Sequence, residues 1–452
     1  MFVSGKIMSE DIPERFRQKI QEAKEQQLEE LDLSNNGNTD YKDKLTEIPE
    51  DVFELTHLRI LKLQNNRISK LPESIGNLTN LTQLDLADNQ LSELPESFGN
   101  LTNLTGLYLS RNKLLELPES FGNLTNLTDL DVRENKLSEL PEFCDNLTNL
   151  KYLDVRENQL SELPEFCGNL TNLKYLFLSR NPLVKPPIEV AEQGIEAISK
   201  YFQQLKEGVD YIYEAKLLIV GEGGAGKTTL AKKIDNRNYE LKQEEKSTEG
   251  IDIIQWSFPI LDKEKEKRDF KVNIWDFGGQ EIYHATHQFF LTKRSLYALV
   301  ADTRKEDTNF YYWLNVVELL SDNSPLLIIK NEKQDRQREI NEPALRGQFT
   351  NLEKTLATNL ATNRGLEEIV TNIQNYVKNL PHIGEPLPKT WVKVRQALEK
   401  HPQNYISLQE YLDICENNSF TSYEDKLQLS GYFHDLGVCL HFQDEGRRFS
   451  II

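Results

Sequence analysis

Cysteine is scarce in this 452-residue chain, with only four, and basic residues are outnumbered. Cys144 and Cys167 stand in near-identical phrases, PEFCDNL and PEFCGNL, while Cys415 and Cys439 lie near the C-terminus. None forms a C-x-x-C pair, which argues against a zinc site, and the sparing use fits a reducing compartment. Lys and Arg total 53 against 72 Asp and Glu, a formal charge of −19. That sign excludes a general nucleic-acid or anionic-membrane binder. No apolar run approaches the ~20 residues that span a bilayer, and the opening MFVSGKIMSEDIPERF lacks the apolar core of a signal peptide. The expectation is a cytoplasmic protein with no nucleic-acid partner and no integral membrane segment. At roughly 150 residues per domain the length suggests about three domains. With 38% apolar and 28% charged residues, the chain is polar for a globule yet too apolar for disorder.

What is present is first of all a repeat. The phrase NLTNL begins at Asn77, Asn100, Asn123, Asn146 and Asn169, every 23 residues. Its frame, L-x-x-L-x-L-x-x-N, places asparagine at Asn66, Asn89, Asn112, Asn135, Asn158 and Asn181, and LEELDLSNN holds a degenerate first copy ending at Asn36. This pattern resembles the leucine-rich repeat. Each x-L-x-L step predicts a short strand with leucines inward, and the asparagine can hydrogen-bond backbone at the turn. The Leu-Pro-Glu step starts an irregular convex segment. A single repeat cannot bury its own apolar face, so copies must stack into a curved solenoid. The recurrent Asn-Leu-Thr matches a glycosylation acceptor and is read as structural consensus.

Alternate strand residues face the concave side: Gln83, Asp85 and Ala87, then Gly106, Tyr108 and Ser110, then Asp129, Asp131 and Arg133. Tyr152, Asp154 and Arg156, then Tyr175, Phe177 and Ser179, complete the row. Their aromatics either receive a protein partner or meet the next domain.

Boundaries follow from composition. Residues 1–27 predict an N-terminal capping helix, 28–187 the repeats and 188–211 a linker helix with apolar residues at Ile188, Ile195, Ile198, Phe202 and Leu205. Strand-like and helical stretches alternate over 212–380, implying a parallel α/β sheet. The Pro-rich LPHIGEPLP opens a third region, 381–452, where Ser407 and Glu410 form a capping box. Small helices and the strand-like VCLHF suggest a winged-helix unit. Residues 386–452 hold seven Lys and Arg against nine Asp and Glu, which favours protein contact over DNA.

The chemistry lies in KLLIVGEGGAGKTTLAKKI. An apolar strand enters G-x-x-x-x-G-K-T, spanning Gly221, Gly223, Gly224, Ala225, Gly226, Lys227, Thr228 and Thr229, and a helix follows. Glycines let backbone N–H groups converge on phosphate. Lys227 would reach the β- and γ-phosphates, and the Thr228 hydroxyl would bind Mg²⁺. Downstream, FKVNIWDFGGQE ends a strand in D-x-x-G. Asp276 would hold the metal through water, the Gly279 amide would meet the γ-phosphate, and Gln280 resembles the water-orienting glutamine of Ras-type GTPases, the worked case of that mechanism. Thr248, before GIDIIQW, is the candidate switch threonine contacting Mg²⁺. Strand PLLIIK runs into Asn331-Glu332-Lys333-Gln334-Asp335. Aligned on K-x-D, Lys333 covers a guanine base, Asp335 reads it, and Glu332 occupies the place where asparagine is expected. Asn359 to Thr362, with Ala361, supply the next base-contacting loop. Arg294, Arg304 and His287 are candidates for leaving-phosphate charge stabilisation. His284 and His287 read as packing residues.

Repeats, a connecting helix and a Ras-like GTPase together resemble the Roco family. STEGIDI, WDFGGQEIYHATHQFFLTKRSLY, LPKTWVKVRQALEK and LQLSGYFHDLGVCLHFQD carry the resemblance. It implies a multidomain α/β chain: a leucine-rich-repeat solenoid, a Roc GTPase domain, and the α-rich, winged-helix-like start of a COR domain. The family's COR is much longer, and no kinase motifs follow here. The resemblance further implies GTP and GDP as ligands with Mg²⁺, slow hydrolysis as a regulatory switch, and a homodimer formed through COR. Two rivals remain: an ATPase-type signalling sensor and a nucleotide-binding scaffold that does not hydrolyse.

Overall fold

A computed structural model describes residues 12–241, 251–263, 265–277, 294–304, 310–321, 324–337, 339–403, 406–420, 422–436 and 438–439, and every structural statement concerns these. The chain divides into two compact units, Met1–Lys206 and Glu207–Ile452.

The first unit opens with helix α1 (Glu14–Gln26), whose buried Phe16, Ile20 and Ala23 fall on one stripe. That stripe caps the open edge of the first repeat strand. Seven three-residue strands follow: β1 (Glu30–Asp32), β2 (Ile60–Lys62), β3 (Gln83–Asp85), β4 (Gly106–Tyr108), β5 (Asp129–Asp131), β6 (Tyr152–Asp154) and β7 (Tyr175–Phe177). They form one parallel sheet in strict order, with Leu84, Leu107 and Leu130 in register from rung to rung. On the convex side the segments after Leu-Pro are 3₁₀ turns, such as Glu96–Asn100 and Glu119–Asn123. Phe98 and Phe121 stack there with centroids 6.3 Å apart.

The asparagines hold the turns as expected. Asn112 donates to the carbonyls of Leu86 and Leu109, each at 3.0 Å, and accepts from the Leu91 amide at 2.9 Å. One residue earlier in each full copy the backbone is left-handed, at Asn65, Asp88, Arg111, Glu134, Glu157 and Arg180. The first copy departs from this. Asn36 is exposed, and the buried Asn35 instead donates to Asn66 Oδ1 at 2.6 Å. Asn35 lacks the left-handed turn, so the side chain one place earlier points inward.

The concave row also departs from expectation at Asp154, which is fully buried. Arg156 folds over it with hydrogen bonds from 2.5 to 3.2 Å. Tyr152 lies 5.5 Å from Phe177 and 6.3 Å from Tyr175, whose side is 59% exposed. The linker predicted as one helix is two, α2 (Ile188–Ala191) and α3 (Ile195–Glu207), because Gly194 takes a φ of 93° between them.

The second unit is built on a six-stranded sheet. Its strands are β9 (Glu214–Val220), β10 (Ile251–Leu261), β11 (Lys267–Phe277), β12 (Ser295–Asp302), β13 (Leu326–Asn331) and β14 (Leu352–Thr358). The order is β10-β11-β9-β12-β13-β14, parallel except for the antiparallel edge strand β10. Strand β9 is buried throughout, as a central parallel strand covered on both faces must be. Its Ala215, Leu217 and Ile219 share a core with α4 (Lys227–Asp235), through Leu230 and Ile234, and with α7 (Leu366–Lys378), through Ile369 and Ile373. Leu218 and Val220 face the other core, with Trp313 and Leu314 of α5 (Phe310–Ser321) and Leu345 of α6 (Glu342–Gln348).

The C-terminal region adds α8 (Lys389–Glu399), α9 (Leu408–Asn417) and α10 (Tyr423–Asp435). Its first strand, β15 (Pro386–Pro388), pairs antiparallel with β8 (Val209–Tyr211), just ahead of β9. The capping box at Ser407 and Glu410 forms as read. Most of the strand-like VCLHF lies outside the described residues.

Candidate nucleotide site

In a parallel sheet with crossover helices, ligands meet the loops at the carboxyl ends of the strands. Here β9 ends at Val220 and the chain turns sharply through Gly221 (φ 137°), Gly224 (φ 74°) and Gly226 (φ 104°) before α4 begins at Lys227. Glycine is required at both ends of this loop. A Cβ on Gly221 would collide with the Val300 carbonyl oxygen, and one on Gly226 would lie 2.5 Å from Asn331 Nδ2. Lys227, 5% exposed, folds back over the loop, its Nζ 2.9 Å from the Gly221 carbonyl and 3.0 Å from that of Glu222. Thr228 Oγ1 donates to Asp276 Oδ2 at 2.5 Å. The Asp276 carboxylate is fully buried at the end of β11, so the two expected metal-binding side chains meet between the first turn of α4 and the end of β11. Gly223, Ala225 and Thr229 lie in the same loop and first helical turn.

The next strands bring up a second loop. Asn331, the last residue of β13 and 1% exposed, donates to the Ala225 carbonyl at 2.9 Å. Lys333 Nζ donates to the Gly224 carbonyl at 2.5 Å. This corrects the alignment on K-x-D. Asn331, not the residue at 332, takes the tethering place. The additional residue, Glu332, turns away to accept from Arg364 Nη2 at 2.6 Å. Left-handed backbone at Gln334 and Asp335 absorbs the insertion. Asp335 keeps a largely exposed carboxylate and accepts from Asn359 Nδ2 at 2.9 Å. Asn359 also caps its own loop, accepting from the Ala361 amide at 3.0 Å, so Ala361 is carried beside Asp335.

Asp302 underpins this loop. It is 2% exposed, binds Arg304 at 2.8 Å and lies 3.4 Å from Lys333 Nζ. Burial alone would raise its pKa, but the Arg304 hydrogen bonds and the Lys333 charge outweigh that and hold it down at about 2. Arg304 is thus engaged by Asp302. Arg294 sits at the opposite end of β12, its guanidinium 5.0 Å from the Tyr432 ring centroid of α10, away from the strand ends that carry the phosphate loop. Thr248, Gly279, Gln280, His284 and His287 lie outside the described residues.

Four family models match the chain in the order that the geometry suggests. A leucine-rich repeat region covers residues 23–136, with a two-copy repeat model over 148–187. The Ras of Complex, Roc, domain covers 216–335, and the COR-A domain C-terminal of Roc covers 388–452. The chain belongs to the Roco family.

Among curated Roco relatives, the probable serine/threonine-protein kinase pats1 of Dictyostelium discoideum is 29% identical over 290 residues, 58% of this chain and 9% of that protein. The Roc-COR-CHAT protease of Runella zeae is 26% identical over 274 residues, 55% of this chain and 29% of that one. The chain therefore spans less than a third of the length of either. Among solved structures, Methanosarcina barkeri Roco2 RocCORdC bound to GDP is 34% identical, covering 53% of this chain and 72% of that chain with a TM-score of 0.47. A leucine-rich-repeat protein of Leptospira interrogans is 34% identical over 36% of this chain and 46% of its own, with a TM-score of 0.30. As a Roco chain the molecule carries a Ras-like GTPase domain between repeats and COR-A. Among the described residues no helix is long and apolar enough to cross a membrane.

Sequence reasoning missed two supports of the Roc domain: Asp302 beneath Lys333, and a buried pair at the sheet's far end, Glu214 with Arg395. Only Asp302 had a visible signal, an acid ending an otherwise apolar strand.

Proposed function

We propose that the chain is a GTP-binding switch that hydrolyses GTP slowly to GDP and phosphate, coupled to a repeat arm that binds a protein partner. The observation that carries this reading is the fastening of the second loop to the first. Asn331 and Lys333 bond the carbonyls of Ala225 and Gly224, which fastens the loop that carries Asp335 to the phosphate loop. In this reading Asp335 pairs with the guanine ring, the Lys333 stem covers its face, and Ala361 flanks it. The amides of residues 221–229 and the Lys227 ammonium neutralise phosphate charge.

Thr228 and Asp276 offer a hydroxyl and a carboxylate oxygen, hard donors suited to magnesium, which takes one or two carboxylates together with substrate phosphates. Bound there, magnesium would neutralise charge on the β- and γ-phosphates. Thr248 would support the same metal, Gly279 would meet the γ-phosphate and Gln280 would orient the attacking water. The concave aromatics Tyr152, Tyr175 and Phe177 would receive the protein partner, and COR-A would support a homodimer. The reading places the protein in the cytoplasm.

Nucleotide binding tests the site. Lys227→Ala is expected to lose it, and unchanged affinity would sink the assignment. Gln280→Leu is expected to bind GTP normally yet release little phosphate over many binding lifetimes. Phosphate release at the parent rate would move water placement to another residue.

A further inference from the structure

The phosphate loop and Asp276 stand at the upper ends of adjacent parallel strands, β9 and β11. At the lower ends of the same two strands lies a buried polar network. Glu214 opens β9 and is 3% exposed, and Arg395 of α8 is 7% exposed. Arg395 grips one carboxylate oxygen of Glu214 twice, through Nε at 2.8 Å and Nη2 at 2.5 Å. The other oxygen accepts from Asn273 Nδ2 of β11 at 2.7 Å. Arg395 Nη1 also reaches Glu399 at 2.6 Å, and Glu399 in turn binds Lys271 of β11. The pair is therefore tied at both ends: above, Thr228 of α4, which follows β9 through the phosphate loop, meets Asp276 of β11, and below, Glu214 of β9 meets Asn273 of β11. The lower link is completed by an arginine from COR-A.

We propose that Arg395 and Glu214 are positioning residues of the nucleotide site, through which the COR-A helix α8 sets the relative register of β9 and β11 and hence the meeting of Thr228 with Asp276. This rests on the guanine-nucleotide reading above. The physical case is directional. Buried ion pairs are weak as sources of stability, because desolvation offsets much of their attraction, while their bond geometry is restrictive. A strand in a packed parallel sheet is stiff, so a shift at Glu214 is carried along the ~23 Å of β9 to the loop. Oxygen donors around a small divalent cation tolerate little displacement.

The test is release of a fluorescent GDP from the full chain, chased with unlabelled GDP, in excess magnesium and again in EDTA. The ratio of the two rates measures how well the metal site is held. Magnesium is expected to slow release strongly in the parent chain. In Arg395→Ala the ratio should fall by about tenfold, since small misplacements at a preorganised site are costly. Arg395→Lys should fall between, and the EDTA rate should change little. Should Arg395→Ala fail to fold, Glu214→Gln, which keeps shape and one hydrogen-bond acceptor, reads the same ratio. Arg268→Ala, which breaks a pair with Asp262 at the turn between β10 and β11 and leaves Glu214 and Arg395 untouched, should leave it unchanged. A parent chain with no magnesium effect would overturn the functional reading itself. A parent effect retained in full by Arg395→Lys and Glu214→Gln, even with a lower melting temperature, would overturn this inference alone.

Discussion

In the proposed guanine-nucleotide site, Asp335 is the carboxylate expected to read the base. Its exposed oxygens are aimed by Asn359, while Glu332, the residue that breaks the usual spacing, is buried against Arg364. Asp335→Asn should therefore lower guanine affinity by more than about tenfold, because a site built for a hydrogen-bond pair discriminates by leaving partners unmatched. Equal affinity in the variant, by competition binding, would place base reading elsewhere. Asp302 gives a pH dependence. Its carboxyl is held near a pKa of about 2, below the ~3.9 of an unfolded aspartate. A depressed pKa stabilises the fold at pH values above the unfolded value and loses that contribution as pH falls. Asp302→Asn should be less stable than the parent at pH 7. The gap should close between about pH 4 and pH 2 in denaturant titrations; a constant gap would contradict the pairing with Arg304 and Lys333. The sequence announced Lys227, Thr228 and Asp276 because their motifs are local. It left Glu332 in the asparagine's place with Asn331 one residue earlier, because left-handed backbone that absorbs a one-residue insertion follows no spacing rule.

Among the elements, the repeat rungs are the most regular and the most legible. A 23-residue period with fixed leucines leaves one way to stack, and the strands stand where the leucines put them. The side chains in between were less legible. Asp154 looked concave and solvent-facing but is covered by Arg156, because neighbouring rungs supply enough bulk to bury a paired carboxylate. The linker helix was readable by its apolar spacing, and its interruption at Gly194 was not, since an isolated glycine is tolerated in many helices. The asparagine ladder carries a testable energy. Asn112→Ala strands the Leu91 amide inside the turn, while the Leu86 and Leu109 carbonyls keep the Asn89 and Asn135 side chains as donors. One buried unsatisfied group costs roughly 1–3 kcal/mol, so the variant should lose about 2 kcal/mol in denaturant unfolding of the repeat unit. A loss under about 1 kcal/mol would mean that the turn satisfies its backbone without the side chain.

For the whole molecule, the chain order of repeats, Roc and COR-A was legible because each part carries its own pattern: period, phosphate loop and strand alternation, and a family phrase. What joins the last two was not. Strand β15 pairs with β8, and Arg395 meets Glu214 across 181 residues of sequence. Such a contact leaves no local trace, since a lone Glu before an apolar strand and a lone Arg in a helix are ordinary surface patterns. The central claim is that the two loops at the strand ends form one guanine-nucleotide site despite the shifted asparagine. Competition of GDP, GTP, ADP and ATP for a fluorescent guanine nucleotide, with magnesium, tests it most directly. The account expects GDP and GTP to displace the probe at concentrations far below those needed for ADP or ATP. Displacement by adenine nucleotides equally well, or no binding of the probe at all, would contradict it.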